Sequence, residues 1–324
     1  MNKNHFLVSI CCNAYNHEKY IAQTLDSLLE QKTDFRFEII VHDDVSSDDT
    51  ANIIRRYAEK YPDIVKPIFE SQNQYSKGVR ITEEIFLPLA VGKYVAFCEG
   101  DDFWNDPNKL QQQINILESD DSISMCCHAN KRINSKNGKL INVLRSVTKK
   151  DGFIAYEDCL SESNFPHLTS MVIRREDYEK MPVFFNKAPV GDYPLRAYAL
   201  CLGKVYYIDK AMSTYRVMTA SSWSKMYRYN ADYRYETNKK MDEFLVRYDE
   251  YTNHKYHNYI EDLICRKDFA TALFTGHYEE AKASPLYAKS GVAKKFLVFL
   301  GMHNKKIALK LGYIYSYLKN TIKP

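Results

Sequence analysis

The chain has no glycine-rich phosphate loop: neither G-x-G-x-x-G nor G-x-x-x-x-G-K-[ST] occurs in its 324 residues. That absence removes the usual sequence support for a dehydrogenase or a P-loop NTPase. The eight cysteines contain no C-x-x-C, so neither a zinc knuckle nor a disulfide framework is expected. Cys11-Cys12 and Cys126-Cys127 lie in apolar strand patterns and read as small buried thiols of a reducing, cytoplasmic compartment. No run approaches the ~20 apolar residues of a membrane span. Val8 to Cys12 is too short, and too quickly followed by polar residues, for a signal peptide. No internal repeat of roughly 20–50 residues is present. Residues 289–324 lack Asp and Glu altogether but hold eight lysines, so this tail carries +8 of an overall +4 and leaves −4 on the rest.

What is present is a folded, globular composition, 45% hydrophobic and 14% aromatic. Its most informative stretch runs from Lys93 to Trp104 and reads KYVAFCEGDDFW. Val95, Phe97 and Cys98 suit a strand covered on both faces. Glu99, Asp101 and Asp102 follow at once, and unpaired buried charge is too costly for them to stay in a core. The strand must open there onto something cationic. In an open α/β sheet that is the ligand-binding end. Clustered carboxylates suit a hard divalent ion, Mg2+ or Mn2+, itself holding phosphates. The same acids could instead cap the helix that opens near Pro107.

Strand and helix alternate through the first 130 residues. Strands are predicted at Phe6–Cys12, Phe37–Val41, Ile64–Phe69 and in the KYVAFC run. Helical stripes fall at Ile21, Leu25, Leu28 and Leu29, and at Ile53, Ile54, Tyr57, Ala58 and Tyr61 before Pro62. A helix is also expected to run up to Gly92. The pattern predicts an α/β fold with a mostly parallel central sheet flanked by helices. Asp43-Asp44 ends the second strand, so two acidic strand ends would meet at one edge of the sheet.

Val8-Ser9-Ile10 with Ala14-Tyr15-Asn16, then Glu38 through Ser46, then Gly92 through Asp102, resemble in this order the family 2 glycosyltransferases of the GT-A fold. The similarity spans about residues 5 to 220, and its type is that of bacterial cell-surface polysaccharide synthesis. The resemblance implies that Ala14, Tyr15, Glu18 and Asp44 hold the nucleoside. It also implies that Glu99-Gly100-Asp101-Asp102 stands for the family's D-x-D motif, with Asp102 as metal ligand and Asp101 on the ribose or the metal. Glu99 departs from the commoner Asp. By their residue types alone, Asp43 and Asp44 equally suit a turn, and Tyr15 a buried aromatic.

Farther along, a helix is expected from Asp106-Pro107 to Leu117, a strand over Ile123–Ile133, a hairpin turn at Lys136-Asn137-Gly138 and a strand over His167–Arg174. His167 and Thr169 could face the sugar, though a lone strand histidine is commonly structural. Asp192, between Gly191 and Tyr193, reads as an N-cap with Pro194 in the first turn. The resemblance makes it the general base as well. Val205–Ile208 and Met212–Tyr215 read as a returning strand pair, with Arg216 on the diphosphate or anchoring a flap over 216–226.

The expected organisation is a catalytic domain over 1–225, its nucleotide-sugar half about 1–105 and its acceptor half about 106–225. A helical extension over 226–324 follows, Tyr-rich and then Lys-rich. Ile307, Leu311, Ile314, Tyr315 and Leu318 line one face of the last helix, with Lys306 and Lys310 off it. That helix would either lie on an anionic membrane surface at the inner face of the cell membrane or pack on the catalytic domain. No nucleic acid is expected, and the oligomeric state is open. The function expected is inverting, metal-dependent transfer from a nucleotide-diphospho-sugar, a UDP-sugar, to a saccharide or lipid-linked acceptor. A sugar nucleotidyltransferase and a non-catalytic nucleotide-sugar or glycan-binding module are the alternatives. The first is disfavoured because Asn13–Glu18 offers no glycine or arginine.

Overall fold

In the computed structural model, β1 (Phe6–Ala14) lies between β2 (Arg36–Asp43) and β4 (Tyr94–Phe97), parallel to both. The structure describes residues 5–146, 148–161, 165–217, 226, 227 and 229–321. Residues 5–186 with 190–217 form one compact unit, and residues 187–189 with the described residues from 226 onward form another.

Alternation along β1 explains the layers of the first unit. Val8, Ile10, Cys12 and Ala14 point to one side and enter a core with Ile39 and Val41 of β2 and Tyr94, Ala96 and Cys98 of the β4 strand and its end. Onto that face α1 (Ile21–Leu29) lays Ile21, Leu25 and Leu28, all fully buried. Removing each from water is worth about 1.5–3 kcal/mol. Between β2 and β3 (Val65–Phe69), α2 (Thr50–Lys60) adds Ile53 and Ile54 to the same core. The expected helix before Gly92 is instead a π-turn over Ile81–Phe86 that runs into the short α3 (Leu87–Leu89). Ala90 is already extended, with ψ of 127°, and Gly92 then runs close against β1. A side chain at Gly92 would meet Ser9 N at 2.6 Å.

After β4 come β5 (Phe103–Trp104), α4 (Lys109–Ser119), β6 (Ile123–Asn134), β7 (Leu140–Leu144), β8 (Gly152–Phe153) and α5 (Tyr156–Leu160). Then follow β9 (Val172–Arg174), α6 (Arg175–Glu179), α7 (Asp192–Leu202) and β10 (Lys204–Val217). The sheet order is β3-β2-β1-β4-β9-β6-β10-β5, with β7 on β6 and β8 on β10. It is mostly parallel in its nucleotide half, and β9 enters antiparallel between β4 and β6. Two expectations change. Only Val172–Arg174 of the predicted His167–Arg174 strand is extended, because Leu168–Ser170 form a 3-10 turn that carries His167 to the sheet end. The predicted strand pair at Lys204–Tyr215 is one strand, parallel to β6 throughout, with its register shifted between Ile208 and Ser213. Asp209 and Lys210, in the shifted segment, pair with Arg145 and Asp106.

The second unit is helical: α8 (Ala231–Tyr251), α9 (His257–Thr275), α10 (Tyr278–Ala283), α11 (Pro285–Lys289), α12 (Val292–His303) and α13 (Lys305–Thr321). Phe269, Leu273, Tyr278, Leu297, Val298 and Ala308 belong to its core. The apolar stripe of the last helix divides: Tyr315 lies against this core, whereas Ile307, Leu311 and Ile314 are exposed. Leu318's side chain lies outside the described residues. No described helix is long and apolar enough to cross a membrane.

Candidate active site

The acidic end of β4 is built by close backbone approach. Gly100 N–H donates to Asn13 O at 2.8 Å. A Cβ at Gly100 would lie 2.8 Å from His17 Nδ1 and 3.0 Å from Ala14 Cβ, so glycine is required there by space. From α1, the buried Thr24 hydroxyl sits 2.6 Å from Asp102 O and 2.9 Å from Gly100 O. From β10, Arg216 N–H donates to Asp102 Oδ1 at 3.0 Å. The Arg216 guanidinium donates through Nη1 to Asp101 O at 2.5 Å and through Nη2 to Gln23 Oε1, between the rings of Tyr20 and Phe103. Arg216 is thus an anchor of the acidic turn. The predicted flap beyond it falls mostly on residues outside the described ones.

The two aspartates occupy different environments. Asp102 is sealed from solvent; its Oδ2 makes no hydrogen bond and lies 3.8 Å from His167 Nδ1. Asp101 is 13% exposed, with Oδ2 at 3.8 Å from His17 Nε2. Burial, then the neighbouring Asp101 charge, pushes Glu99 up to about 8 and raises Asp102 well above the usual carboxylate range. Burial lowers Arg216, against the pull of Asp102 and Asp101. A buried carboxylate oxygen without a donor, beside a second and partly open carboxylate, is an oxygen donor set that fits Mg2+ or Mn2+.

The residues expected to hold a nucleoside have protein contacts of their own. Ala14 is fully buried and backs Gly100, and Tyr15 is exposed at the rim. Asp44, expected to reach a base, already binds the Asn73–Tyr75 loop: Oδ1 accepts from Gln74 N at 2.6 Å and Oδ2 from Tyr75 N at 3.0 Å. Glu18 is likewise turned to the start of α2, where Oε2 accepts from Asp49 N at 3.2 Å. Asp43, at the acidic end of β2, keeps Oδ1 buried without a hydrogen bond while Oδ2 accepts from Ser46 N at 3.1 Å. Between them and the β1 turn, Asn16 and Val45 hold positive φ of 56° and 62°. For a β-branched valine that is a strained conformation, and such strain gathers at functional loops.

Asp192 is the first residue of α7, and Gly191 occupies the cap position without a side-chain cap. The predicted N-cap is therefore displaced by one residue. Asp192 is half-buried. α7 is fixed by Tyr193, whose hydroxyl donates to Leu160 O at 2.6 Å, and by Arg196 over the Phe165 ring. Burial lowers the His167 imidazole, opposed first by the charge of Asp192 and then by that of Asp101. His167 also stacks on Tyr215, ring centres 4.0 Å apart. Thr169 is buried and accepts from Trp104 Nε1 at 3.2 Å, so it serves the core.

His17, His167, Asn13, Thr24 and the Arg216 backbone join the site without having been singled out for these contacts. His17 carried one signal, its place in the polar turn after β1. The Arg216 contact carried none, because 114 residues separate it from Asp102.

A family model described as glycosyl transferase family 2 matches residues 9–181. An uncharacterized protein of Mycobacterium tuberculosis is 33% identical over 221 residues, 68% of this chain and 61% of that protein. The chain thus spans about six tenths of that relative's length. Escherichia coli WfaP, named as a UDP-Glc:alpha-D-GlcNAc-diphosphoundecaprenol beta-1,3-glucosyltransferase, is 37% identical over 114 residues, 35% of this chain and 42% of its own. Among solved structures, Staphylococcus aureus TarS 1-349 in complex with UDP-GlcNAc superposes with a TM-score of 0.60 at 19% identity, covering 96% of this chain and 91% of that one. That likeness speaks for the fold.

Proposed function

Given that this chain belongs to glycosyl transferase family 2, we propose that it is an inverting, metal-dependent enzyme moving a sugar from a UDP-sugar to a hydroxyl of a saccharide or lipid-linked saccharide. The observation that carries this reading is the pair of acids at the end of β4, where the sealed Asp102 keeps Oδ2 without a hydrogen bond beside the partly open Asp101. The family and its glycosyltransferase-named relative support sugar transfer. The names UDP-Glc in WfaP and UDP-GlcNAc in TarS favour a uridine nucleotide. WfaP's diphosphoundecaprenol acceptor favours a lipid-linked saccharide here.

Asp101, the more open carboxylate, and Asp102 behind it would hold Mn2+ or Mg2+. Bound there, the ion would neutralise charge on the departing diphosphate. Asp192 accepts the proton of the acceptor hydroxyl as that oxygen attacks the anomeric carbon from the face opposite the leaving group. No protein nucleophile is required, so configuration inverts in one displacement. Tyr15 offers a ring at the rim for the base. Asp44 and Glu18 shape the pocket through the loops they bind.

Incubating the full chain with a panel of nucleotide-sugars, a lipid-linked acceptor and Mn2+ or Mg2+ tests this. We expect nucleoside diphosphate release from a UDP-sugar, lost in Asp101→Asn and Asp192→Asn with folding unchanged. Release that survives Asp192→Asn would move the base elsewhere. Donor binding without turnover would favour a binding module, and formation of nucleotide-sugar from sugar phosphate would favour a nucleotidyltransferase.

The second unit supports a membrane partner. Val292, Phe296 and Phe299 are 84%, 54% and 59% exposed along one side of α12, and Ile307, Leu311 and Ile314 are exposed along α13. The lysines of the acid-free 289–324 segment accompany them. Apolar side chains flanked by cations suit an anionic lipid surface, where a lipid-linked acceptor would reside.

A further inference from the structure

The turn between α8 and α9 brings together three metal-ligating side chains of the second unit. Asp249 comes from the last turn of α8, His254 from the connecting turn and His257 from the first position of α9. Both imidazoles aim their Nδ1 at one oxygen: His254 Nδ1 lies 2.8 Å and His257 Nδ1 2.7 Å from Asp249 Oδ2. The rings stand nearly perpendicular, at 88°, with centres 5.5 Å apart. One potential ligand atom from each residue falls within 4.8 Å of the others. Asp249 is buried, only 7% exposed, and its Oδ1 has no hydrogen-bond partner. The histidines are open, 62% and 47% exposed in their side chains, so an ion has a path in. Glu261, one helical turn beyond His257, places Oε1 3.5 Å from His257 Nε2.

We propose that Asp249, His254 and His257 form a second metal site, selective for zinc-type transition-metal ions and separate from the acidic site at the end of β4. Two neutral imidazoles and one carboxylate are the borderline donors that favour Zn2+ over Mg2+, whereas the all-oxygen set at Asp101 and Asp102 favours the hard ions. The geometry is close to what a zinc ion needs. Bonds of about 2.0–2.1 Å at tetrahedral angles separate ligand atoms by roughly 3.3 Å. The two N···O contacts therefore need to open by only about half an ångström. As the ion takes the place of each Nδ1–H···Oδ2 bridge, the imidazole stays neutral with its proton on Nε2, and water completes the shell. The turn is held ready, since Asn253 and His254 both occupy left-handed backbone, with φ of 50° and 60°. Zinc there joins the end of one helix to the start of the next.

The test is calorimetric titration of the full chain with Zn2+ in saturating Mg2+, which occupies the oxygen site. Wild type should bind one Zn2+ per chain, with affinity reduced more than tenfold in His254→Asn and again in the His254→Asn/His257→Asn double variant. Thermal melting gives an independent reading: Zn2+ should raise Tm in wild type and leave the double variant unmoved. Both histidines are exposed, so the variants should fold. Equal Zn2+ affinity in wild type and the double variant would overturn the site, as would Mg2+ competing with Zn2+ on equal terms.

Discussion

Arg216 N–H donates to Asp102 Oδ1 at 3.0 Å, so the acidic turn after β4 is fastened to the far end of β10. The same arginine's side chain holds Asp101 O and Gln23, and its guanidinium lies over Tyr20 and Phe103. Arg216→Ala should therefore cost about 2–3 kcal/mol, because two charge-assisted hydrogen bonds and the packing of a buried guanidinium between two rings are lost. Urea unfolding measures it, and a loss below about 0.5 kcal/mol would mean that the backbone contact alone holds the turn. Arg216→Lys should recover only part, since an ammonium cannot span both acceptors while stacking on rings.

Gly100 is the tightest point between β1 and the acidic turn, where an added methyl would meet His17, Ala14 and Asn13 at 2.8–3.0 Å. Gly100→Ala should destabilise by about 1–3 kcal/mol and weaken donor binding, because the turn must move. Gly191→Ala, where nothing lies within 4 Å, is the matched control and should leave stability unchanged. Equal stabilities and equal donor KM for both variants would refute the packing argument.

Lys109 is fully buried with Nζ 3.8 Å above the Trp104 ring and no hydrogen bond, and burial pushes it down to about 7. Unfolded, the amine keeps its proton up to about 10.5. Between those values the unfolded chain binds more protons, so this residue's contribution to stability rises with pH. Below the lower value the folded chain carries the buried charge and its full cost. Lys109→Met should thus be more stable than wild type near neutrality, with the gap narrowing as pH rises to about 9. Unfolding curves for the pair across that range decide the matter: a constant gap would contradict it.

The exposed α12 side chains give a membrane prediction that does not depend on deleting the tail, whose Leu297 and Val298 belong to the core. Phe296→Ser/Phe299→Ser should lower co-sedimentation with phosphatidylserine-containing vesicles by more than half while leaving Tm unchanged. Raised salt should lower wild-type binding as well, through screening of the lysines. Binding that ignores both the substitutions and salt would remove the lipid-surface reading.

Much of the nucleotide half was legible because its signals are local. Val8 to Cys12 is an unbroken buried run, as a strand covered on both faces requires, and Ile21, Leu25 and Leu28 recur at helical spacing. The acids after Cys98 stood out because a core strand cannot hold them. Partners were not legible: the amides of Gln74 and Tyr75 donate to Asp44 and that of Asp49 to Glu18, contacts that residue type alone does not show. In the last helix, the apolar face was visible, but which of its members meet a core was not.

By itself the sequence determined the alternation of strand and helix, the acidic strand ends and the separate basic, helical character of the tail. These are consequences of neighbours along the chain, set by periodicity, capping and the cost of burying charge. Only the tertiary structure decided that Asp102 is sealed while Asp101 stays partly open, that Arg216 anchors them, and that His167 comes to 3.8 Å from Asp102. Contacts across more than a hundred residues depend on strand order and register, which a local pattern does not encode.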